Sequence, residues 1–261
     1  LQERGFLMEK IMSERMIQAQ QVSAWIEQYN QEVGSTEILP KLPAVIASSL
    51  EVGGACLIRS GDDEPVAYGA IYPLIDEVVA RKLGFLPIEL GSMITVKEYR
   101  GNGYGRQVAQ SLRGLADAMH GSEVVTVPLA TIKRPGTIKA LGSADIEPVS
   151  FFSSPYLAFL TCVCDSGEQQ ENVCRYRRGP EESDITTLAS ITLAENFNSN
   201  EAVNCTLLAE KKLVERFEAR CRELHEQIGG EPVLVGDISV DSFNRIGEFF
   251  NQLNQVEVTY E

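Results

Sequence analysis

The chain has 261 residues, 44% of them hydrophobic and 23% charged, which are proportions of a globular protein rather than a disordered or fibrous one. With 23 Lys and Arg against 37 Asp and Glu, the net charge of -14 argues against any partner whose phosphate backbone must be neutralised, so no nucleic acid is expected. The acidity is uneven: residues 1–164 carry 14 basic and 18 acidic side chains, whereas residues 165–261 carry 9 and 19.

In chain order, residues 8–30 read as an amphipathic helix in which Ile11, Ile17, Val22, Trp25 and Ile26 recur among Glu, Gln and Lys. A short helix follows Pro43 over residues 44–50. Two strand-like runs, 55–59 and 66–73, flank the polar turn Ser60-Gly61-Asp62-Asp63-Glu64 and predict a hairpin. A strand over 87–96 then turns through glycines into a helix over 106–119, whose Val108, Leu112, Leu115 and Met119 share one face. Residues 124–129 predict a buried strand, 136–141 a short helix and 156–164 a final strand before a polar linker. Beyond it the pattern predicts a long helix over 205–228, a strand over 233–240, a helix from Asp241 and a strand over 256–260.

Several functions are excluded or disfavoured. Apolar runs fall far short of the roughly 20 residues a membrane helix needs, and residues 1–16 show no signal layout, so a cytoplasmic protein without a membrane partner is expected. Six cysteines spread over a chain of this size predict reduced thiols rather than a disulfide scaffold. No Gly is followed by Lys, which excludes the Walker A phosphate loop, and Gly101, Gly103 and Gly105 do not fit G-x-G-x-x-G. Cys162, Cys164 and Cys174 form a C-x-C-x9-C set at the linker, but alternating cysteines on a buried strand would read the same way, and no metal is expected.

The glycine turn carries the chemistry. Three glycines in five residues at a helix start let backbone N–H groups approach a phosphate without Cβ obstruction, and the helix dipole favours the negative charge. Arg100 and Arg106 flank the turn as counter-charges. The run Arg100-Gly101-Asn102-Gly103-Tyr104-Gly105, preceded by the strand end Ile94-Thr95-Val96, resembles the R/Q-x-x-G-x-G/A signature of the GNAT superfamily of acyl-CoA-dependent N-acetyltransferases. The order of elements over residues 8–164 is similar to that family's layout as well. The resemblance implies an α/β (α+β) fold with a mixed, splayed β-sheet flanked by helices and acetyl-CoA in the cleft. It places the pantetheine on the backbone of Ile94, Thr95 and Val96, and the pyrophosphate on the amides of residues 101–106.

Acetyl transfer needs a deprotonated amine, because an ammonium has no lone pair to attack with. Glu89, eleven residues before Arg100 on the central strand, stands where many members of the family carry a Glu base; a surface-facing strand Glu is the other reading. The resemblance departs from the family at the general acid: Leu141 falls where the family's Tyr would stand, and Asp145-Ile146 replaces Gly-Phe. Tyr156, Tyr104 and Ser143 are the hydroxyls that could substitute, each with a structural reading of its own.

The expectation is therefore a GNAT-like domain over 1–164 and a small acidic α+β module over 165–261, which could serve as a lid, a docking module or a homodimer surface. The expected reaction is transfer of acetyl from acetyl-CoA to a primary amine by direct attack, with a cationic small-molecule or peptide acceptor suited to an acidic chain. The alternative is an acyl-CoA-binding regulatory or scaffold protein that has lost the chemistry.

Overall fold

The computed structural model describes residues 2–34, 38–119, 123–132, 135–150, 153–165, 206–237 and 239–255. Cys174, the basic cluster Arg175, Arg177 and Arg178, and the strand expected over 256–260 lie outside the described residues.

The described residues form eight α-helices and six strands: α1 (Gln2–Val33), α2 (Pro43–Glu51), β1 (Ala55–Arg59), β2 (Pro65–Pro73), α3 (Glu77–Leu83), β3 (Phe85–Thr95), α4 (Tyr104–Ala118), β4 (Val125–Ile132), α5 (Pro135–Gly142), β5 (Glu147–Val149), α6 (Pro155–Asp165), β6 (Thr206–Ala209), α7 (Lys211–Ile228) and α8 (Val240–Gln255). The strands form one mixed sheet in the order β1-β2-β3-β4-β6-β5. β1 and β2 are the expected hairpin, antiparallel from Ala55 opposite Ala70 to Arg59 opposite Pro65. β3 and β4 are parallel over Phe85–Glu89 opposite Val125–Leu129, a pairing that requires a long crossover, and α4 lies in that connection.

The chain divides into two compact units interleaved in sequence: Leu1–Tyr72 with Leu90–Ala118 and Lys139–Ala144, and Pro73–Glu89 with Met119–Ile138 and Asp145–Glu261. In the first unit, Ala19, Val22 and Ile26 of α1 and Ile46 of α2 pack on Tyr68, Ala70 and Ile94 of the sheet. α4 packs closely because β2 carries Gly69, where a Cβ would lie 2.5 Å from Val108 Cγ1 and 2.9 Å from Leu112 Cδ1. In the second unit, α3, α6, α7 and α8 bury Leu83, Phe159, Phe217, Phe243 and Phe250 against Val127, Leu129 and Leu207 of β4 and β6.

The structure corrects several expectations. Residues 156–164 are helix α6, not a strand; Pro155 opens it, the position where the missing N–H costs nothing. The helix expected over 205–228 begins at Lys211, and residues 206–209 before it form β6, antiparallel to both β4 and β5. A strand from beyond Asp165 thus sits between two strands from before it, and the compact units do not follow the expected cut at residue 164. No strand forms over 233–237; Gly236 there has φ +91°. α3 was not anticipated, although Asp76 Oδ1 accepts the Val79 N–H at 2.8 Å and Gly84 closes the helix at φ +72°.

Candidate functional site

β3 and the turn after it bring together most of the residues singled out for cofactor binding. Ser92 interrupts β3 at φ +51°, a conformation that a non-glycine residue rarely adopts within a strand, and the alternation of buried positions is lost from Gly91 to Met93. The Ser92 hydroxyl lies 2.8 Å from the hydroxyl of Tyr72, a hydrogen bond that ties the interruption to β2. After Thr95 a single 3₁₀ turn, Lys97–Tyr99, leads into the glycines.

Gly101 and Gly103 adopt φ +88° and +85°, and a Cβ at either would meet nothing within 4 Å. Their requirement for glycine is thus conformational, and the space beside them is open. Among the described residues the backbone N–H groups of Gly101, Gly103, Tyr104 and Gly105 make no hydrogen bond, whereas those of Asn102 and Arg106 donate within the turn, to Tyr99 O (3.4 Å) and Gly103 O (3.1 Å). Four N–H groups without a partner among the described residues therefore stand at and just before the N-terminal, positive end of the 15-residue helix α4. Gly105 packs over Ala140, 3.8 Å from the position a Cβ would take.

The two arginines differ. Arg106 is exposed and makes no ion pair among the described residues, so its charge is available to a ligand at the turn. Arg100, expected as a second counter-charge, is turned back onto the protein. Its Nε donates to Thr95 O (3.1 Å), one Nη to Glu32 Oε2 (3.2 Å), and its guanidinium lies 5.7 Å from the centre of the Tyr29 ring. Lys97 Nζ lies 3.4 Å from the other Glu32 oxygen. Partial burial raises the Glu32 carboxyl, but hydrogen bonds and charge from Arg100 and Lys97 outweigh it and hold it below the usual carboxylate range. Glu32 and Tyr29 therefore belong to the site's support, and no local signal marked them because the Glu32–Arg100 contact spans 68 residues.

Among the backbone positions assigned to pantetheine, Val96 is committed on both sides: its N–H donates to Val66 O (2.9 Å) and its carbonyl accepts from Tyr99 (3.0 Å). Ile94 is buried and Thr95 half-buried.

The hydroxyl candidates separate clearly. Tyr156 is 0% exposed in the core of the second unit; its oxygen accepts the Val233 N–H at 3.3 Å and lies 2.7 Å from His225 Nδ1, so it is a structural hydroxyl and unavailable as an acid. Ser143 donates to Ala140 O at 2.6 Å. Tyr104, the first residue of α4, is half-buried, lies edge-on to Tyr99 with ring centres 6.0 Å apart, and its hydroxyl makes no hydrogen bond among the described residues. Leu141 is fully buried. Glu89 is half-buried at the last residue of β3 paired with β4, opposite Leu129.

Among the described residues no group of three or more His, Cys, Asp or Glu is disposed to hold a metal, and no helix is long and apolar enough to cross a membrane. Compared with known protein families, with curated proteins and with solved structures, the chain matches none.

Proposed function

We propose that the chain is an N-acetyltransferase that moves an acetyl group from acetyl-CoA to a primary amine by direct attack. The observation that carries this reading is the row of unpaired N–H groups of Gly101, Gly103, Tyr104 and Gly105, set at the start of α4 with the unpaired Arg106 beside them. Such a row suits a pyrophosphate, since each amide offers one donor and Arg106 adds charge. The pantetheine arm is assigned to the backbone of Ile94 and Thr95, of which the Thr95 carbonyl already accepts from Arg100 Nε; Val96 contributes little to it, being bonded on both sides within the protein.

In the reaction, Glu89 takes a proton from the acceptor ammonium, the free amine attacks the thioester carbonyl, and the carbon–sulfur bond breaks to release the thiolate. Tyr104, whose hydroxyl makes no hydrogen bond among the described residues, is the hydroxyl assigned to protonate the sulfur, and the second proton lost by the amine nitrogen as the amide forms replaces it. An acidic chain favours a cationic acceptor. A thiol-release screen with acetyl-CoA and pooled amines tests the reading, and unchanged turnover in Glu89→Gln across the pH range refutes the role of that residue.

The buried Leu141, at the position where the resemblance calls for a Tyr acid, favours a second reading: a protein that binds acyl-CoA for regulation or scaffolding without transfer. Stabilisation by CoA in thermal unfolding, with no thiol released across the amine panel, selects it.

A further inference from the structure

A cavity of about 260 Å³ opens in the second unit between the C-terminus of α7 and α8, lined by His225, Gly230, Glu231, Arg245, Glu248 and Phe249 among others. Its inner end carries the imidazole of His225 and the guanidinium of Arg245. His225 is only 4% exposed. Val233 donates to the Tyr156 oxygen, an arrangement that favours a phenolic proton directed at His225 Nδ1 and hence the imidazole tautomer with its proton on Nε2. That Nε2–H has no partner among the described residues. The ring edge bearing it lies over Gly230, where a Cβ would come within 2.6 Å of Nε2. Stacking of the other face on Phe249, with centres 4.8 Å apart, fixes the ring plane.

Arg245 supplies the second donor. One of its Nη atoms donates to Asp237 at 2.9 Å and its buried Nε is ion-paired with Asp241 at 3.2 Å, so the donor it offers the cavity is the other Nη, which makes no hydrogen bond among the described residues. Burial, and after it the nearby Arg245 charge, lower the His225 pKa and so favour the neutral ring. The mouth has the opposite character: Glu231 and Glu248 are exposed carboxylates. Donors at the buried end and carboxylates at the rim match a ligand that carries an acceptor and a cation a few ångströms apart, and the Phe249 and Ile228 walls accommodate an apolar side chain.

We propose that this cavity binds a free α-amino acid, its carboxylate on His225 Nε2 and Arg245 and its ammonium toward Glu231 and Glu248. The cavity lies wholly within the second unit, and its occupancy is independent of acetyl transfer.

The chain has two histidines, so the imidazole signals of the full-length protein are assigned by comparison with His120→Gln. Each of the common α-amino acids is titrated while the His225 ring nitrogens are followed by NMR. At least one is expected to shift them saturably. Its amide and its des-amino acid, each lacking one charge, are expected to bind about tenfold more weakly or worse. Glu248→Gln, an exposed position outside the core, is expected to weaken binding severalfold while leaving the Tyr156–His225 signature intact. The proposal is overturned if no amino acid moves the His225 signals, or if the amide and the des-amino acid bind as well as the parent.

Discussion

Arg100 donates to a Glu32 oxygen 3.2 Å away and so joins the last turn of α1 to the entrance of the glycine turn. The same guanidinium donates to Thr95 O, so a single side chain fixes the end of β3, the start of the turn and α1 in one arrangement. Its charge serves the shape of the turn rather than a ligand.

Glu32→Gln is accordingly expected to loosen residues 100–105 without unfolding the domain, since the pair is largely exposed and individually weak. Hydrogen exchange at the amides of 101–105 should quicken. A carboxyl whose pKa is lowered in the folded state stabilises that state above its unfolded pKa and loses the effect as pH falls through the folded value. The difference between wild type and variant is therefore expected at neutral pH and should vanish in acid below the usual carboxylate range. A difference that persists there would assign the effect to something other than the charge.

Gly69 and Gly114 make opposite predictions on the two sides of α4. At Gly69 a Cβ would sit 2.5 Å from Val108 and 2.9 Å from Leu112, both fully buried, so Gly69→Ala must push the helix from the sheet at a cost of about 1–3 kcal/mol. Gly114 is exposed within the helix with nothing near, and Gly114→Ala should stabilise by about 0.5–1 kcal/mol. Denaturant unfolding measures both.

The hairpin, β3, the glycine turn and α4 were legible because each is specified locally, by alternation, turn residues and helical spacing. What escaped was set at a distance. Residues 156–164 are apolar except for Thr161, and a run of that length and character suits a buried strand as well as a buried helix; only Pro155 signalled the helix. β6 has four residues, and its strand character comes from pairing with β4 and β5, which no property of Thr206–Ala209 announces. At the site the glycines were readable and their open amides followed. The commitment of Val96 to Val66 and the attachment of Arg100 to Glu32 were not, because neighbours remote in sequence impose both.

Gly103 separates backbone geometry from space. Its φ of +85° is costly for any L side chain, while a Cβ would touch nothing, so Gly103→Ala is expected to lower stability by about 1–2 kcal/mol through backbone strain alone. If the turn holds a pyrophosphate, CoA-induced stabilisation in thermal unfolding should fall in this variant by more than in Gly136→Ala, where φ is not positive and nothing lies nearby. Equal CoA responses in the two would remove the turn from the binding site.

Glu218 gives the second unit its own pH dependence. Its side chain is buried on α7, Oε1 accepts the Leu157 N–H at 3.3 Å, and Oε2 lies 3.6 Å from Arg222 without a hydrogen bond. Burial is the dominant influence and pushes the carboxyl up to about 8, against the opposing Leu157 N–H and Arg222 charge. An acid whose pKa is raised on folding binds its proton more tightly in the folded state, so its stabilising effect is complete below the unfolded value and is lost as pH rises through the folded one. Stability should decline between about pH 4.5 and 8 on this account. Glu218→Gln keeps an acceptor for Leu157 and has nothing to ionise, so it should flatten that decline and become the more stable form above pH 8. Parallel unfolding curves for wild type and variant at pH 5 and pH 9 would show that Glu218 is already ionised at the lower pH and that Arg222 outweighs burial.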